Sequence, residues 1–119
     1  MSESLPRSEA ARSIARQVVS SSGSVAANIA EGHGRYSVAA YRNHLSIARG
    51  STAETGSWLD LLARAGYIEP DVARQLHDEC ELLLGGLTRQ MKALEARLRS
   101  QPRALREEES PYMLEGLPD

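Results

Sequence analysis

Apolar positions recur along this chain at helical spacing in three separate stretches. In the first, Ile14, Val18, Ser22, Val25 and Ile29 step by four and three, which places them on one face of a helix. Ser8 is the expected N-cap, with Glu9 in the favourable first turn. Gly32 and Gly34 are expected to end the helix. Its middle, Ser20-Ser21-Ser22-Gly23-Ser24, is poor in helix propensity. That run is open to two readings: a kink or break, or a face of small residues against which another helix packs closely.

The second stretch is capped by Ser37 and stopped by Gly66. Between them Tyr41, Leu45, Ala48, Thr52, Thr55, Leu59 and Leu62 repeat every 3.5 residues on average, the period of a helix packed lengthwise on near-parallel neighbours. Beside this seam runs a second stripe, Ile47, Ser51, Glu54, Trp58, Leu61 and Ala65. Two stripes ask for two packing partners, and Ile47, Trp58 and Leu61 are the expected oligomer contacts. Tyr67 and Ile68 after Gly66 suit a Schellman ending.

The third stretch opens with Pro70 and Asp71, both suited to a helix start. Val72, Leu76, Leu83, Leu87, Met91, Leu94 and Leu98 form its core face, interrupted by Gly85-Gly86. Pro102 closes it. Residues 1–100 are therefore expected to form one all-α domain, an elongated up-down bundle in which three long helices are visible. Residues 101–119 hold three Pro and a Glu run, and are expected to be a largely irregular acidic tail.

Composition agrees with helices: 16 Ala and 15 Leu stand against nine Val and Ile and no Phe. No apolar run is long enough to span a membrane, and the start carries no secretory signal pattern. A lone cysteine, Cys80, builds no disulfide framework, so a reducing cytoplasm is the expected setting. The net charge of −2 hides an asymmetry, because all 14 Lys and Arg lie at or before Arg106 while residues 107–119 hold five acids. Thirteen of those bases are Arg, which suits bidentate contacts to carboxylate and phosphate.

Catalytic chemistry is not visible. There is no P-loop, no glycine-rich dinucleotide turn and no nucleophile elbow. His77 and Cys80 lie three apart, but two ligands make no zinc site, and no Glu-x-x-His pair supports a di-iron bundle. No cofactor, metal or small-molecule substrate is expected.

The informative segment joins the first two helices, from Asn28 to Ser37. Glu31 sits at a helix C-terminus, where the macrodipole disfavours an anion. Arg35, nearby backbone N–H groups and Asn28 one turn earlier are the expected compensation. These residues, with Gly32 and Ser37, either lock an antiparallel turn or form a ligand site. Arg35, Arg42 and Arg49 step by seven. They form either a solvated face or, repeated around an oligomer, a positive ring.

Asn28-Ile29-Ala30-Glu31-Gly32, then Gly34-Arg35 and Ser37, resemble the four-helix-bundle proteins encoded in bacterial 23S rRNA intervening sequences. Ile47-Ala48-Arg49-Gly50-Ser51, Ala53-Glu54-Thr55 and Gly66-Tyr67-Ile68 continue the match in order, over roughly Gln17 to Leu98. The accessory variability determinants of diversity-generating retroelements are similar. The resemblance implies a helical bundle assembled as a ring, typically a homopentamer, without enzymatic activity. It also implies an RNA or reverse-transcriptase partner met through a basic surface. Relatives carry paired Arg after the matched Gln. Here Val18-Val19-Ser20-Ser21 occupy those positions, with Arg12 and Arg16 nearby. Relatives also open with a further helix, whereas sixteen residues precede Gln17 here. One groove is therefore expected to be closed by a neighbouring copy. The expected function is a non-enzymatic scaffold that contacts RNA through Arg16, Arg35, Arg42 and Arg49. The alternative is a module that recruits a partner helix and touches no nucleic acid.

Overall fold

A computed structural model of the chain describes residues 7–101, and the acidic tail expected at 101–119 lies outside them except for Gln101. The described residues form three helices and no strand: α1 (Arg7–His33), α2 (Val38–Arg64) and α3 (Pro70–Ser100). At 1.5 Å per residue, α1 and α2 are each about 40 Å long and α3 about 46 Å.

The local signals act largely as the sequence suggests. Ser37 is extended (φ −106°, ψ 148°), and its hydroxyl accepts from the Ala40 N–H at 3.0 Å, capping α2. At the far end Gly66 takes φ 77°, which favours glycine. The Tyr67 N–H reaches the Leu62 carbonyl at 2.9 Å and the Gly66 N–H reaches that of Ala63 at 3.0 Å, a Schellman pair. Pro70 opens α3, and the helix runs unbroken through Gly85-Gly86 to Ser100.

Of the two readings of the serine-rich middle, the closely packed face holds: α1 runs unbroken through it, Ser21 is buried and Ser24 meets Ser51 of α2 at 2.9 Å. One expectation about α1 needs revision. Gly32 lies inside α1 rather than past its end, and neither it nor Gly34 has a positive φ.

The helices alternate in direction. α1 and α3 each pack along α2 and hardly on one another. Val25, Val38, Leu45, Ala48, Leu87, Met91 and Leu94 form the core, with Ile29, Tyr41 and Leu98 against it. This core lies nearer the α1–α2 turn. Alongside and beyond it α1 and α3 leave a groove of about 480 Å³ over α2, lined by residues including Val18, Ala26, Leu59, Leu76, Cys80 and Leu83. The second α2 stripe is only partly covered: Ile47 is 46% and Leu61 42% exposed, while Trp58 is half-buried.

Candidate nucleic-acid interface

The α1–α2 turn brings its polar residues into two separate groups. Glu31 pairs with Arg35 at 3.1 Å, and both are largely in water. The expected network joining Asn28 to Glu31 does not form. Asn28 faces α2 instead, with Nδ2 donating to the Ser24 carbonyl at 2.9 Å and to its hydroxyl at 3.2 Å. Asn28 Oδ1 lies 3.0 Å from Nδ1 of His44, which therefore carries the proton and donates. Ser51, Ser24, Asn28 and His44 thus form a continuous polar chain across the seam, and one turn further along the hydroxyls of Ser21 and Thr55 meet at 2.7 Å. Sequence spacing could not reveal His44 as the partner, since it stands 16 residues from Asn28 on another helix.

The two groups should respond differently to truncation. Glu31→Ala should change stability by no more than about 0.5 kcal/mol, as for other exposed pairs. Asn28→Ala should cost about 1–3 kcal/mol, because it leaves the partly buried Nδ1 of His44 without its partner, while Ser24 keeps Ser51. Urea denaturation midpoints compare them directly, and equal losses would contradict the geometry.

The four arginines singled out from the sequence are dispersed. Arg35 stands in the turn. Arg42 reaches across to α3, where its Nε and Nη2 donate to one oxygen of Glu95 at 2.7 and 2.5 Å. Arg49 and Arg16 are exposed, and neither has a carboxylate partner among the described residues. Arg16 lies towards the opposite end of the bundle from Arg35 and Arg42.

What unites the basic residues is the antiparallel register, which sets the C-terminus of α3 beside the start of α2. The level of the Ser24–Ser51 contact divides the bundle near Gly86. On the turn side lie Arg35, Arg42, Arg49, Arg89, Lys92, Arg97 and Arg99, against only Glu31 and Glu95 as acids. The other side, within the described residues, holds five bases and eight acids. Arg89, Lys92, Arg97 and Arg99 were missed by sequence reasoning, which weighed Arg16, the turn and α2 but not the end of α3. The signal available was the crowding of bases into the end of α3, where they also complement its dipole. Arg42, Asn43, Glu95 and Arg99 line an open pocket of about 490 Å³ on this half, floored by Ala39 and Leu98.

Away from this half, His77 is exposed beside Asp78, and Cys80 is half-buried in the groove. Burial first, then the charges of Glu79 and Glu81, push the Cys80 thiol above its ordinary value. No helix among the described residues is long and apolar enough to cross a membrane.

Three long antiparallel helices with an excess of positive charge at one end define an all-α helical-bundle protein with a basic half. The family model described as 23S rRNA-intervening sequence protein matches residues 1–89, and the chain belongs to that family. The resemblance carried by Asn28–Gly32 and Ile47–Ser51 is borne out at this level. No curated protein and no solved structure matches the chain.

Proposed function

We propose that the protein is a non-enzymatic, cytoplasmic, homo-oligomeric scaffold that associates with RNA or a ribonucleoprotein, of the intervening-sequence or reverse-transcriptase accessory type. The observation that carries this reading is the basic half, with seven bases against two acids on one end of the bundle. Phosphate contacts need unpaired cations on an accessible surface. Arg49 and Arg99 meet that condition, while Arg35 and Arg42 bring guanidinium groups already shared with Glu31 and Glu95. The family name, which refers to an rRNA insertion, is compatible with an RNA partner. The partly exposed Ile47 and Leu61, with Trp58 between them, suit contact with a neighbouring copy.

Arg42→Ala would also remove the α2–α3 ion pair, so the cleaner test combines Arg49→Ala with Arg99→Ala. This double variant should keep its helix content, weaken binding to a short RNA hairpin, and flatten the salt dependence by about two units of slope. Unchanged affinity and slope in filter binding would remove the phosphate role. The apolar groove favours a second reading, in which the bundle recruits a partner helix and binds no nucleic acid. Such binding would change little with salt, whereas phosphate binding weakens steeply.

A further inference from the structure

We propose that the acidic segment Glu107–Glu109 docks on the basic half of its own bundle, against Lys92 and Arg99, and there competes with nucleic-acid phosphate. The competition rests on the RNA reading above; the docking does not.

The bundle half beside the turn has a cationic surplus that its own acids do not neutralise. Glu31 and Glu95 are engaged by Arg35 and Arg42. Lys92, Arg97 and Arg99 have no carboxylate partner among the described residues. Seven bases less two acids leave a surplus of five on this half, and Glu107, Glu108 and Glu109 follow it in the chain as three consecutive acids. The position of the segment fits the same match. The chain leaves α3 after Ser100, at this end of the bundle. Glu107 follows seven residues later, which can span up to about 23 Å. Lys92 and Arg99 lie seven residues apart on α3, or about 10 Å. The segment can therefore fold back over both. The opposite end carries the excess of acid, so it repels rather than competes.

Exposed ion pairs are individually weak. Tethering offsets this, because a short linker holds the segment at an effective concentration in the millimolar range. RNA, with many phosphates, would displace the segment, and salt would weaken both contacts.

Lys92 is the only lysine, so carbodiimide coupling of carboxylates to amines has one side-chain amine to use. Trypsin then releases residues 107–119 as one peptide, since they contain no Lys or Arg. In the full-length chain at low salt, that peptide should be recovered joined to Lys92. The yield should fall several-fold at about 1 M salt, where the Debye length is about 3 Å. Recovery of the peptide unlinked overturns the docking. So does linkage found only between isotopically labelled and unlabelled copies. A triple variant, Glu107→Gln with Glu108→Gln and Glu109→Gln, should bind a short RNA hairpin roughly three- to tenfold more tightly at low salt. Equal affinity of parent and variant overturns the competition. If neither binds the hairpin, the RNA reading fails, and the cross-link alone still decides the docking.

Discussion

Dilution should cost the protein its helicity and its assembled mass together. The groove exposes parts of Val18, Leu59, Leu76 and Leu83, and Ile47 and Leu61 add a second uncovered stripe. Each large aliphatic side chain left in water forfeits up to about 1.5–3 kcal/mol. A domain of this size has only about 5–15 kcal/mol of net stability, so several such losses leave no stable monomer. Light scattering and circular dichroism over a dilution series are the measurement. A well-folded 13.0 kDa species with a concentration-independent melt would contradict the prediction. Cys80 supplies a second readout because it lines the groove. Its raised thiol pKa already slows alkylation near neutral pH. A neighbouring copy seated in the groove should slow it further, and dilution should relieve that protection.

Gly32→Ala should destabilise the protein, whereas Gly23→Ala in the same helix should stabilise it. Both replacements gain about 1 kcal/mol of helix propensity. At Gly23 a Cβ would meet nothing within 4 Å, so the gain stands. At Gly32 it would lie 2.8 Å from His44 Cβ, 2.9 Å from Tyr41 Cδ1 and 3.3 Å from the Tyr41 carbonyl oxygen. Relief requires α1 and α2 to part, which strains the nearby Asn28–His44 hydrogen bond. The expected net loss is about 1–3 kcal/mol, typical of overpacking. Gly32→Val should lose more, since its branched side chain needs still greater separation. Denaturant midpoints taken at one protein concentration distinguish the sites. Shifts of the same sign at both glycines would refute the close approach.

The fold was largely legible because its signals are local. Ser37, the Gly66 ending and Pro70 each act within a few residues of themselves, and together they bound the helices. The serine run was ambiguous for a physical reason. A hydroxyl within α1 competes for its own backbone or faces a neighbour, and periodicity cannot tell which. Ser21 does both, bonding the Gln17 carbonyl at 2.9 Å and Thr55 at 2.7 Å. The candidate site was less legible because it depends on register between helices. Arg42 and Glu95 are 53 residues apart, and nothing in either segment announces the pairing. Gly32 was recognised as important, but for helix termination, since the close approach that demands it arises only when Tyr41 and His44 arrive from α2.

The two seams of this bundle differ in mechanical character. Between α1 and α2, hydrogen bonds from Ser24 to Ser51, from His44 to Asn28 and from Thr55 to Ser21 engage like teeth on a rack. A slide of one helical turn, about 5.4 Å, would disengage all three at once. Between α2 and α3 the contact is mainly apolar, with Leu45 and Ala48 sharing one cluster with Leu87, Met91 and Leu94, pinned by Arg42 and Glu95. Apolar surfaces have no preferred direction and tolerate small shear. Any adjustment the bundle makes to a ligand therefore falls on α3, with the Arg42–Glu95 pair as its latch.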